Sequence, residues 1–192
     1  MSTLREPCPA KLVLSVLAAG DWWELAWPDF RAGLVERFGP VDYETPPLAF
    51  DHTAYYDQEL GTPLARRLLG FDRLVPLDGL VEIKLLTNEG EREQARPDGS
   101  RRVNLDPGLI TLERLILASG KNFTHRVYLG RGVWADLTLI YNRKTGWVAL
   151  PWTFPDYADP GMKRRLTELR ALYKTSVEAA AQAAPEGAPR CP

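Results

Sequence analysis

The sequence predicts an α+β fold on a mostly antiparallel mixed sheet. A ferredoxin-like βαββαβ first half is followed by a helix, a three-strand meander and a C-terminal helix. Three observations predict it. The apolar run LVLSVLAA at 12–19, bounded by Pro9 and Gly20, has the length and continuity of a buried central strand. Trp23, Trp27, Phe30, Leu34 and Phe38 recur at spacings of three and four, the stripe of a helix lying on a sheet. Three strand-like stretches, 123–129, 133–141 and 147–152, are joined by the turns Gly130-Arg131-Gly132 and Arg143-Lys144-Thr145-Gly146.

The remaining elements follow in order. Asp21 and Glu24 have capping-box spacing at the start of the first helix. Pro28 predicts a kink or a restart within that helix, and Gly39-Pro40 ends it. Residues 41–50 read as extended, and Pro46-Pro47 suits an edge strand or a bulge. DHTAYYDQELG, 51–61, reads as a polar, aromatic loop or short helix, and 66–75 as a strand. At 77–94 two periods compete. VEIKL alternates, but Asp78 can cap and Leu77, Leu80, Val81 and Leu85 share helical spacing, so helix is the expectation. Residues 101–106 form a short strand ending in a Pro107-Gly108 turn, and 111–119 a compact apolar helix stopped by Gly120. Met162, Leu166, Leu169, Tyr173 and Val177 mark a last helix over about 162–183.

At 192 residues the chain suits a single α+β domain over 11–183, with a flexible tail at 1–10 and a disordered one at 184–192. With 24 Lys plus Arg against 25 Asp plus Glu, the net charge is −1, which gives no strong nucleic-acid signal. Cys8 and Cys191 have no metal-ligand spacing and read as reduced thiols. The apolar stretch at 11–19 is too short to span a membrane or to act as a signal peptide, so the cytoplasm is the expected location.

Several reaction motifs fail. Gly120-Lys121 lacks the glycine and the Ser or Thr that a phosphate loop requires. Gly130, Gly132 and Ala135 match a dinucleotide spacing, but they lie in a hairpin without a helix N-terminus. His52 and His125 are the only histidines, and neither stands in the His-x-Ser/Thr pattern of two-histidine phosphoesterases. There is no nucleophile elbow and no metal-ligand set, and no cofactor is indicated.

What remains is a polar face. Arg102, Asn104 and Asp106 alternate with Val103 and Leu105. Thr124, Arg126 and Tyr128 alternate with His125, and Asp136 shares a face with Thr138. Neighbouring strands would bring Arg126 or His125 to Asp136 or Asp106, forming an ion-pair network or a concave site. A solvated sheet face alternates in the same way, and that reading stays open. The loop with Tyr55, Tyr56, Asp57 and Glu59, and the segment PWTFPDY at 151–157, suit either ligand recognition or packing of rings against the core.

The stretches FDHTAYYDQELG, RRLLGFDRLV, EIKLLTNEGE, PWTFPDY and the long block RRVNLDPGLITLERLILASGKNFTHRVYLGRGVWADLTLIY cover, with KLVLSVLA, most of the chain. They resemble the uncharacterised bacterial family catalogued as domain of unknown function 4416. The resemblance carries no activity, substrate or catalytic residue across. Some members bear a GTP-binding label, yet this sequence lacks the phosphate loop such a label needs. His52 stands where the family usually has an apolar aromatic, which leaves His125 as the better functional histidine.

The expected function is binding of a small anionic ligand, a nucleotide or phosphoester, in a polar sheet-face pocket. Arg102, Asn104, Asp106, Arg126, Lys84 and Tyr56 are the candidate binding residues. His125, oriented by Asp136 or Asp106, is the candidate acid or base. The alternative is a protein-interaction module that uses the aromatic loops and the final helix.

Overall fold

The computed structural model describes residues 4 and 6–183. Strand β1 (Ala10–Ala19) is buried along its whole length. It pairs antiparallel with β4 (Leu64–Val75) on one side and β5 (Val103–Ile110) on the other. A strand with neighbours at both edges and layers on both faces needs apolar side chains at both parities, hence the unbroken run LVLSVLAA. Leu12, Leu14, Val16 and Ala18 enter the core of the first face, with Trp22, Trp27, Leu34 and Phe38. Val13 enters the core of the second face, with Leu68, Ile110, Leu115, Leu166 and Leu169.

Nine strands form one antiparallel sheet in the order β2-β4-β1-β5-β6-β8-β7, with β3 on β4 and β9 on β8. The further strands are β2 (Val41–Glu44), β3 (Leu48–Ala49), β6 (Arg114–Ser119), β7 (Arg126–Gly130), β8 (Val133–Asn142) and β9 (Gly146–Ala149). Helices α2 (Trp27–Phe38) and α4 (Leu80–Glu93) cover the first face. Helix α6 (Pro160–Ala183) covers the second face through Met162, Leu166 and Leu169. Short helices α1 (Trp22–Leu25), α3 (Asp57–Leu60) and α5 (Pro155–Ala158) sit in the connections. The helix expected at 77–94 forms, and Pro28 restarts the first helix at the opening turn of α2. No helix among the described residues is long and apolar enough to cross a membrane.

Four expectations are corrected. Residues 114–119 form strand β6, not a helix. Leu115 and Leu117 enter the second-face core while Ile116 and Ala118 pack toward the first, so burial on both sides removed the alternation. Asp21 precedes α1, but its side chain makes no capping hydrogen bond. Cys8 is disulfide-bonded rather than reduced; Cys191 and the tail expected at 184–192 lie outside the described residues.

The fourth correction concerns Pro107-Gly108, which lies inside β5 instead of ending it. β6 pairs with β5 only from Gly108 to Ile110. The N–H that Pro107 lacks therefore falls where no strand is paired on that side. Leu105, of the same parity, presents its backbone groups to this gap, and α4 supplies their partners. Its N–H donates to Glu91 Oε1 at 2.6 Å, and its carbonyl accepts from Lys84 Nζ at 2.9 Å. Gly108 is needed one residue later, because a Cβ there would lie 2.7 Å from Leu117 Cδ2 and 2.8 Å from the Ile116 carbonyl oxygen.

Candidate functional site

The second face becomes polar toward one end of the sheet. The register places Leu17 opposite both Asn104 and Arg66, and Ser15 opposite Asp106, so these groups share one face and adjoining rows. Glu59 on α3 grips Arg101 in a two-pronged ion pair, Nε and a terminal nitrogen each donating at 2.7 Å. Arg101 then donates to Asn104 Oδ1 at 2.7 Å, and Asn104 Nδ2 donates to Asp106 Oδ2 at 2.8 Å. The hydrogen bond and charge of Arg101 hold the Glu59 carboxyl below its ordinary range.

Asp106 sits at the end of this chain and forms no ion pair among the described residues. Its charge still reaches its neighbours. The Tyr56 hydroxyl is pushed up to about 12, first by burial and next by Asp106. Tyr157 is buried and raised by that burial. Arg66 opposes the shift and Asp106 adds to it. Arg66 is itself buried, donates to Asp156 Oδ2 at 2.6 Å and lies against the rings of Phe50 and Tyr157.

A second network stands on β6, β7 and β8. Arg126 faces Asp136 across the β7–β8 pairing and donates to its Oδ2 at 2.8 Å. It also donates to Ser119 Oγ at 2.7 Å and to the Lys121 carbonyl at 2.9 Å. His125 Nε2 lies 3.2 Å from the same Asp136 oxygen, and Thr138 donates to the other at 3.2 Å. The His125 ring is stacked between Phe123 and Trp152, with centroids 6.0 and 5.2 Å away. The link between the networks is Lys121, which donates to the Tyr55 hydroxyl at 3.0 Å, while Tyr55 packs edge-on against Tyr56.

The structure thus brings together Asn104, Asp106 and Tyr56 in one cluster and His125, Arg126 and Asp136 in another. His125 takes Asp136 as its carboxylate, not Asp106. Lys84 belongs to neither: it is buried under β5 on the Leu105 carbonyl. Arg102 joins neither cluster and lines a cleft of about 450 Å³ at the strand ends, with Gly20, Asp21, Trp22 and Arg96. His52 is exposed and packs edge-on against Phe50. Sequence reasoning passed over Arg66, Arg101, Ser119, Lys121 and Asp156. Arg66 had a signal, because it shares strand parity with the apolar Leu64 and Leu68. The Arg66–Asp156 pair had none, since the two residues lie far apart in the chain.

Chemically, Arg126 commits Nε to Asp136 and one terminal nitrogen to Ser119 and a carbonyl, so a ligand anion would have only its other terminal nitrogen. Asp106 accepts from Asn104 alone among the described residues, so acceptor capacity is left on its carboxylate. One ring nitrogen of His125 has no hydrogen-bond partner among the described residues. No group of three or more His, Cys, Asp or Glu that could hold a metal ion occurs among the described residues.

Fold and site together define an α+β protein with one large antiparallel sheet and a charged, tyrosine-rich end. The family model described as Domain of unknown function (DUF4416) matches residues 8–173, and the chain belongs to that family. No curated protein and no solved structure matches the chain.

Proposed function

We propose that the protein binds a small anionic ligand of the nucleotide or phosphoester class at the polar end of the sheet. The observation that carries this reading is Asp106. It is a half-buried carboxylate held by Asn104 without an ion pair of its own among the described residues, beside Tyr56 and Tyr157. Arg66 and Asp106 feel each other's charge without forming an ion pair, so donors on a ligand would add hydrogen bonds that the protein does not supply. Sugar hydroxyls suit it, since they donate to a fixed carboxylate and leave the anionic group free to bind elsewhere. His125, held by Asp136, is the group available for acid–base chemistry. The cytoplasm remains the proposed location. A ferredoxin-like first half is supported by the order β2-β4-β1-β5 and by α2 and α4 lying on one face.

The test is a thermal-shift series with ribose 5-phosphate and nucleoside monophosphates on the wild type and Asp106→Asn. Ligand at a hundred times its Kd stabilises by about 2.7 kcal/mol, and the Asn variant should lose most of that gain. No stabilisation of the wild type by any of these compounds would overturn the reading.

A second reading, a protein-interaction module, is favoured by one observation. Edge strand β7 has a single neighbour and exposes Val127, Tyr128 and Leu129, near Phe123. Under this reading, Val127→Lys combined with Leu129→Lys abolishes association with a partner yet preserves the folded state.

A further inference from the structure

We infer that the end cleft holding Arg102 and Arg96 is the anion-binding part of the ligand site, and that it takes the phosphate of a phosphomonoester. The inference rests on the proposed function in one respect, that the ligand is anionic. Arg102 is half-buried and its side chain makes no hydrogen bond or ion pair among the described residues. Its neighbours differ: Arg66, Arg101 and Arg126 each hold a carboxylate at 2.6–2.8 Å. A guanidinium left without a carboxylate, on the wall of an open cleft, keeps all its donors for a ligand.

Arg96 is the second cation of the cleft. It donates to the carbonyls of Glu59 (2.7 Å), Arg101 (2.6 Å) and Leu60 (3.3 Å) and to Ser100 Oγ (3.3 Å). All four acceptors are neutral, so the side chain is fixed in place, and although Glu59 and Asp98 feel its charge it forms no ion pair with either. The lining itself carries two arginines and one carboxylate, Asp21.

Size and position agree with this assignment. About 450 Å³ lies within the range of small-molecule sites. Gly20 has a positive φ of 59° and nothing within 4 Å of the place a Cβ would occupy, so its backbone can be approached closely. The cleft also adjoins the Asp106 network, because Leu60 and Arg102 on its wall directly follow Glu59 and Arg101 of that network. Under the proposed function one ligand spans both places, its phosphate at Arg102 and its hydroxyls at Asp106.

The experiment is calorimetric titration of the full chain with inorganic phosphate and with ribose 5-phosphate. Wild type, Arg102→Ala, Arg102→Lys, Asp21→Asn and Asp106→Asn are compared at low ionic strength. Arg102→Ala should weaken phosphate binding by about tenfold or more, and Arg102→Lys should fall between it and the wild type. Asp21→Asn should strengthen binding, a gain that misfolding cannot produce. Asp106→Asn should cost ribose 5-phosphate more than it costs inorganic phosphate.

Equal phosphate affinity in the wild type and Arg102→Ala overturns the cleft assignment, as does no phosphate binding by the wild type at millimolar concentration. The function proposed above fails separately, if ribose 5-phosphate and nucleotides give no Asp106-dependent stabilisation while phosphate still binds through Arg102.

Discussion

Glu91 and Glu59 both hold Arg101, yet their surroundings push their carboxyls in opposite directions. Glu91 is buried under β5, and that burial raises it despite Lys84, the Leu105 N–H and Arg101. Glu59, nearer the surface, is lowered by Arg101. A raised carboxyl contributes stability below its unfolded value and loses it as pH rises through its folded value. A lowered one contributes above its unfolded value and loses it as pH falls through its folded value. Denaturant midpoints measured across the acid range should therefore separate two variants. Glu91→Gln should gain on the wild type as pH rises past the carboxylate range, and Glu59→Gln should lose on it. Equal pH slopes for the two variants would contradict the assignment. At this scale strand parity was legible, since Asn104 and Asp106 do share a face. The partner of His125 was not, because sequence spacing says nothing of which neighbouring strand brings its carboxylate.

Among elements, the segment between β9 and α5 closes a break in the sheet. β7 and β9 pair with different parts of the same edge of β8, residues 133–136 and 139–142. The carbonyls between them need donors. Trp152 Nε1 donates to Leu137 at 2.9 Å, and Thr153 Oγ1 to Thr138 at 2.6 Å. Trp152 also stacks on His125, which fixes that imidazole. Trp152→Ala should destabilise the fold by about 1–3 kcal/mol, the range for a carbonyl stripped of its donor together with a lost ring contact. Urea unfolding would measure this, and a change below about 0.5 kcal/mol, the usual effect of a surface substitution, would refute the closing role. PWTFPDY was legible as an aromatic connector, but its bonding to β8 was not. β6 was misread because a strand buried on both faces has no period to read.

For the whole molecule, the sheet is ordered from a buried middle to open margins. β1 is flanked by β4 and β5 and covered on both faces, whereas β7 has one neighbour and exposed side chains. Native-state hydrogen exchange should find the slowest amides in β1, β4 and β5 and the fastest strand amides in β7 and β9. Protection of β7 equal to that of β1 would contradict this and would mean that the edge is covered in solution. By itself, the sequence determined the central strand, the aromatic helix stripe, the turns of the meander and the polar parity at 104–106. Each is a local pattern of period 2 or 3.6, written within a few consecutive residues. Only the tertiary structure decided that Arg66 meets Asp156, that His125 goes to Asp136, and that Arg102 lines a cleft with no ion pair of its own among the described residues. Those meetings depend on strand order, which is settled by burying both faces of the sheet at once and is written in no single stretch of the chain.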